Sequence, residues 1–237
     1  MYKPARIIQR SLKATVLVCA LAVCTFLSGC HEEPENPEDV TAVFQNIATY
    51  AGDNDSGRSM LQYRQINDSP LVTLTLQGRL NQEQVAVGTR LLVTYTLPAG
   101  VAYGSSTEIV SRSLNVIYNG TVKTDATTVP DMESTEGIYV MTLYRSGEYL
   151  NLMAQLPASS GKRKFSLVAD ASTLESDIPQ LYLTTTADNE QGFNRKTIAS
   201  LNMAPVWNRP SCKGVEVHIK NTNNGYQQSL IFLKNNN

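Results

Sequence analysis

Several stretches of this 237-residue chain combine residue types that could do chemistry. Asp53-Asn54-Asp55-Ser56-Gly57 begins like a calcium-binding loop, but position five of that template is Gly57 and position twelve is Arg64, where a bidentate glutamate is required. It reads as a hairpin loop. Ser159-Ser160-Gly161-Lys162 has the S-x-x-K spacing by which a lysine activates a serine, yet that geometry needs the start of a helix, and this segment follows Pro157 between two strand-like runs. Histidine occurs only at His31 and His218. That scarcity removes most metal sites and every Ser-His-Asp or Cys-His mechanism that needs a second, well-placed imidazole. His218 itself alternates with Glu216 and Lys220 on a face expected to be solvated. Cys212 sits in a loop between Pro210 and Lys213 with no histidine near it in sequence, and reads as an incidental or partly buried thiol rather than a nucleophile. Tyr139, Tyr144, Tyr149 and Tyr182 could form a stacking platform for sugar rings, because aromatic faces bind the apolar side of pyranoses; tyrosines in strands more usually serve packing. No catalytic residue, metal ligand or cofactor site is expected.

The chemistry best supported is acylation. Lys3, Arg6, Arg10 and Lys13 form a basic leader, followed by the uncharged run 14–27, which is shorter than the roughly 20 apolar residues of a membrane-spanning helix and matches a signal h-region. The run ends in Leu27-Ser28-Gly29-Cys30, resembling the lipobox in which small residues precede a cysteine whose thiol takes a diacylglyceryl group. The competing reading is an ordinary secretory signal with a chance cysteine. Each buried lipid methylene contributes about 0.8 kcal/mol, so two or three acyl chains hold a protein durably. The expected anchor is therefore a lipid on Cys30, with residues 1–29 removed. The mature chain keeps 208 residues, 237 less 29, with 16 Lys and Arg against 21 Asp and Glu. A net charge near −5 and the lack of a basic stripe argue against a nucleic-acid partner. Cys19 and Cys24 leave with the leader and Cys30 carries lipid, so Cys212 alone remains a thiol and no intramolecular disulfide is possible.

These groups would be positioned by strands. Residues 30–39 are charged and proline-broken, an extended acidic tether. From 40 onward, short runs of Val, Ile, Leu, Thr and Tyr alternate with Gly, Asn, Asp and Ser clusters, which is all-β spacing. Strands are expected at 40–50, 58–66, 71–77, 89–97, 108–118 and 121–128, with one helical turn within 81–87 and a type I′ hairpin at Asn119-Gly120. In the fourth run Leu91, Val93, Tyr95 and Leu97 share one face. This half, residues 40–130, fits an OB-like barrel, with a sandwich the alternative that periodicity alone leaves open. The acidic, Pro- and Gly-containing segment 130–137 marks a domain boundary, and residues 137–237 supply seven further strands for an antiparallel β-sandwich. There Leu150, Leu152, Ala154 and Leu156 should face the core, away from Tyr149, Asn151, Met153 and Gln155.

The runs VAVGTRLLVTYTL (85–97), LNVIYNGTVKT (114–124), YLNLMAQL (149–156), KFSLVAD (164–170) and GVEVHIK (214–220), behind a lipobox and an acidic tether, resemble the NigD-like lipoproteins of Bacteroidetes. The resemblance covers nearly all of the mature chain and implies an N-terminal OB-type domain with a C-terminal β-sandwich. The family's sandwich often carries a histidine on the strand corresponding to 183–190, which this chain lacks. The resemblance leaves function open; the leading reading is a non-enzymatic binding or accessory protein of the envelope with an unidentified protein or glycan partner, and the alternatives are a carbohydrate-binding accessory lipoprotein of a glycan-uptake system or, as the family name suggests, an immunity or accessory factor for a secreted antimicrobial peptide. Five acids within 31–39 resemble the signal that sends such lipoproteins to the cell surface of the outer membrane.

Overall fold

Alternation of buried and solvated residues curls the first half of the chain into a closed barrel. The computed structural model describes residues 42–81, 83–102, 107–161, 163–225 and 227–234; Cys30, the tether and Lys162 lie outside them. The barrel strands are β1 (Phe44–Asp53), β2 (Ser59–Tyr63), β3 (Val72–Leu76), β4 (Arg90–Thr96) and β5 (Glu108–Val116), in the order β1-β2-β3-β5-β4. β4 closes on β1, β3 and β5 pair in parallel, and the other ladders are antiparallel. Tyr50, Leu61, Leu74, Leu91, Val93 and Ile109 fill the interior, with the fourth strand facing inward as its alternation predicts. The turn expected within 81–87 is present, with the Asn81 carbonyl accepting from the amides of Gln84 and Val85 at 3.0 Å.

The hairpin expected at Asn119-Gly120 does not form. Those two residues lie in β6 (Tyr118–Thr121), which leaves the barrel and runs parallel to a strand of the second half. The Tyr118 ring packs on Phe165 with centroids 5.2 Å apart, and the Val122 amide donates to the Asn202 carbonyl at 2.9 Å. Tertiary pairing outweighs the local turn preference of an Asn-Gly pair. The chain thus enters the second half at Tyr118, ahead of the acidic segment 130–137.

The remaining strands are β7 (Tyr139–Ser146), β8 (Tyr149–Ser159), β9 (Lys164–Ala169), β10 (Gln180–Thr186), β11 (Glu190–Asn202), β12 (Gly214–Ile219) and β13 (Ser229–Leu233). They form two four-stranded sheets, β6-β11-β8-β7 and β13-β12-β10-β9. The fold is all-β, an OB-like barrel followed by a sandwich. Most of the sandwich ladders are antiparallel, whereas β6 with β11 and β10 with β12 run parallel. Leu150, Leu152, Ala154 and Leu156 are buried as expected, in one cluster with Leu167, Leu181, Val215 and Trp207.

The opposite face of β8 is solvated at Gln155 but not at Asn151. Asn151 and Ser200 are both fully buried, because the barrel lies over this side of the sheet. Barrel and sandwich belong to one compact unit, Ala42–Asn237. Between them the Asn67 amide donates to the Arg145 carbonyl, the Gly147 amide donates to the Asn67 carbonyl, and the Ser146 hydroxyl donates to the Arg64 carbonyl, each at 2.7 Å. Arg145, its side chain wholly buried, grips Asp68 through two bonds of 2.7 Å.

Candidate functional site

A cleft of about 760 Å³ with convergent polar groups lies where the barrel meets the sandwich. Local sequence explains its walls. The β7–β8 hairpin turns on Gly147 and Glu148; a two-residue turn needs positive φ, and Gly147 adopts +59°. A Cβ there would stand 3.2 Å from Arg64 Cδ, so the glycine also lets the barrel approach. This turn sets Glu148 and Tyr149 at the cleft. β2 delivers Tyr63 and, just past its end, Arg64, while a proline-started helical turn, Ala204–Trp207, brings in Trp207.

At the cleft floor is Arg90, only 2% exposed. It donates from Nε to Ser200 Oγ at 2.9 Å, from Nη1 to Thr49 Oγ1 at 2.8 Å and from Nη2 to Asn151 Oδ1 at 3.2 Å. Its guanidinium carbon lies 4.1 Å from the centroid of the Tyr149 ring. Every one of these acceptors is neutral, and among the described residues no carboxylate pairs with it. Burial lowers its pKa to about 10, a fall that the neighbouring Tyr149 and Tyr144 moderate. The group is thus still a cation at neutral pH. The Trp207 ring has Arg145 at 4.4 Å and Lys234 at 5.5 Å from its centroid. At the rim Glu148 accepts from Asn208 Nδ2 at 3.0 Å, and Leu71 is half exposed.

A second groove, about 500 Å³, runs along β4, β5, β8 and β11. Its Arg163 pairs with Glu136 at 2.6 Å and Glu190 at 3.1 Å, whereas Arg195 and Lys196 point to solvent. Burial raises the Glu136 pKa against the pull of Arg163.

The four tyrosines singled out from the sequence do not share a surface. Tyr144 and Tyr149 both lie near Arg90 at the barrel junction, where burial raises the Tyr144 pKa. Tyr139 is exposed at the far end of β7, and Tyr182 belongs to the other sheet, stacked on His218 with centroids 4.8 Å apart. A continuous stacking platform is therefore not assembled. His218 is half-buried rather than solvated, bonded to Gln180 Oε1, while Gln180 Nε2 donates to Glu216 at 3.1 Å. Cys212 is buried, its thiol donating to the Gly214 carbonyl at 3.2 Å, and burial pushes its pKa up. The Asp53–Gly57 loop joins β1 to β2 as a hairpin. Asp53 accepts from the hydroxyls of Tyr50 and Ser59, both at 2.7 Å, and pairs with Arg79. Ser159 ends β8, its hydroxyl donating to the Asp188 carbonyl.

Arg90, Asn151 and Trp207 escaped the reading of the sequence. Trp207 carried a signal, being the only tryptophan. Arg90 carried none, since its partners stand 61 and 110 positions away.

No family model and no curated protein matches the sequence. Solved structures do match it. A protein of unknown function from Bacteroides vulgatus aligns at 18% identity and a TM-score of 0.60, over 81% of this chain and 90% of that one. A NigD-like immunity protein from Bacteroides caccae aligns at 16% identity and a TM-score of 0.53, over 81% and 92%. The chain has the NigD-like fold. A candidate lipoprotein from Bacteroides fragilis shares that NigD-like architecture at 8% identity and a TM-score of 0.53, over 81% and 96%. Among the described residues, no helix is long and apolar enough to cross a membrane.

Chemically, the cleft can hold a polar ligand. Its cation, amide and hydroxyl groups offer donors, and the Ser146 hydroxyl that lines it already donates to the Arg64 carbonyl.

Proposed function

We propose that this protein is a non-enzymatic binding protein of the cell envelope, held at the outer membrane by a lipid on Cys30 and facing the cell surface. Its binding surface is the cleft between barrel and sandwich. The observation that carries the reading is that cleft, built jointly by both halves around a buried guanidinium. The NigD-like fold, shared with an immunity protein and a candidate lipoprotein, supports an accessory role. It also favours the second reading, an immunity factor for a secreted antimicrobial peptide, over a carbohydrate-binding accessory lipoprotein of a glycan-uptake system, because the tyrosines that a glycan platform needs are split between two sheets.

The anchor is tested by labelling cells with an alkyne-tagged fatty acid and fractionating them. The unmodified protein should take up label and sediment with membranes, and Cys30→Ser should do neither. A Cys30→Ser protein still found in the outer membrane overturns the lipid anchor. Protease added to intact cells should remove the mature domains, and replacing Glu32 and Glu33 with alanine should protect them; full protection of the unmodified protein places it on the periplasmic side instead.

A further inference from the structure

Around Arg90, at and beneath the cleft floor, hydrogen-bond donors outnumber the acceptors they meet. A guanidinium has five N–H groups, and the three bonds of Arg90 to Ser200, Thr49 and Asn151 leave two. Immediately beside it, the Asn151 side chain is fully buried. Its Oδ1 accepts from both Arg90 and the Ser200 hydroxyl, while its Nδ2 has no partner. A buried donor without an acceptor is costly, and a buried cation surrounded only by neutral acceptors is more so. The nearby carboxylates do not supply the missing charge. Asp68 is held by both terminal nitrogens of Arg145, and Glu148 is bonded by Asn208 at the rim.

We infer that the cleft receives a single carboxylate of a peptide, which pairs with Arg90 and supplies the acceptor that its remaining N–H groups lack. The inference rests on the cleft being the binding surface and names what it binds. A planar guanidinium fixed over the Tyr149 ring and tied by three bonds presents its remaining N–H groups in one orientation, the geometry that favours a carboxylate. Of the aromatic groups of the cleft, Tyr149 is engaged by Arg90 and Trp207 by Arg145 and Lys234, while Tyr63 is packed in the barrel core. Cations thus already compete with a sugar ring for these aromatic groups, which favours a peptide over an acidic glycan. Glu148 at the rim repels a second negative charge, and half-exposed Leu71 offers an apolar contact. The preferred ligand carries one acid flanked by apolar residues, not an acidic run.

Trp207 lines the cleft and is the only tryptophan, so its fluorescence reports occupancy. The mature protein is titrated with four probes: an acetylated, amidated apolar tetrapeptide carrying one glutamate; the same peptide with glutamine and a free C-terminal carboxylate; the neutral glutamine amide; and trigalacturonate. Saturable binding of either carboxylate peptide, at least tenfold tighter than the neutral amide, is expected. The better of the two tells whether a side-chain or a terminal carboxylate is recognised. Arg90→Lys, which keeps the charge and loses the planar fork, should weaken that peptide at least tenfold in a variant that circular dichroism shows to be folded. If the variant fails to fold, the contrast between charged and neutral peptides on the unaltered protein still decides. Equal binding of the neutral amide, undiminished binding by a folded Arg90→Lys protein, binding of trigalacturonate alone, or no saturable signal with any probe overturns the assignment. Binding of the neutral amide would overturn the carboxylate while leaving the cleft as a binding surface.

Discussion

The barrel and the sandwich bury their interiors differently. Among the described residues the barrel core comprises ten buried apolar side chains, three of them tyrosines, against twenty-three in the sandwich, mostly aliphatic. Two barrel tyrosines end in polar partners, Tyr50 donating to Asp53 and Tyr95 accepting from Asn46 Nδ2 at 3.0 Å. A core this small leaves a barrel marginal by itself, since surface grows against volume as domains shrink. Its docking on the sandwich compensates, and that contact is polar, through Arg90, Asn151, Ser200 and the Arg145–Asp68 pair. The sandwich is built for stability, while the junction places buried charge next to a cleft, where such costs are expected to serve binding.

The strongest test of this asymmetry compares Leu152→Ala with Leu61→Ala, both replacing side chains at or below 1% exposure. Each should cost about 2 to 5 kcal/mol by truncating a packed leucine. If the barrel depends on the sandwich, Leu152→Ala lowers one common transition seen by both Trp207 fluorescence and circular dichroism. Two separated transitions would make the barrel independent. A smaller effect is expected at the junction. Asn151→Ala removes the acceptor shared by Arg90 and Ser200 and should cost about 1 to 3 kcal/mol in denaturant melts. The strand pattern alone predicts under about 1, as for a solvated residue. A loss that small would mean the junction adds little to stability.

The smallest effect concerns acid. The Ser59 hydroxyl, then the Tyr50 hydroxyl and Arg79, hold the Asp53 carboxyl below the usual carboxylate range. A carboxyl whose pKa is lower folded than unfolded stabilises the protein at higher pH and loses that contribution as pH falls through its folded value. The melting-temperature advantage of the unmodified protein over Asp53→Asn should therefore be full at pH 7 and shrink below about pH 4, with the unfolded carboxyl titrating near that value. An advantage that stays constant down to pH 2.5 would assign it to packing instead.

Much of this architecture was legible in the chain. Leu91, Val93 and Tyr95 in one strand, and Leu150, Leu152, Ala154 and Leu156 in another, announce their buried faces by period-two alternation, and Gly147 announces its turn. These features depend on neighbours within a few residues, so local pattern suffices. Asn119-Gly120 carries the same kind of local signal and still ends up extended, because β11 offers pairing that a turn cannot match. Asn151 has the alternation of a solvated residue and is buried, because the barrel covers a face that the strand itself leaves open. The cleft shows the limit most plainly. Arg90 meets Thr49, Asn151 and Ser200 only once two separately patterned halves are docked, and alternation along a strand records which side is covered without recording by what.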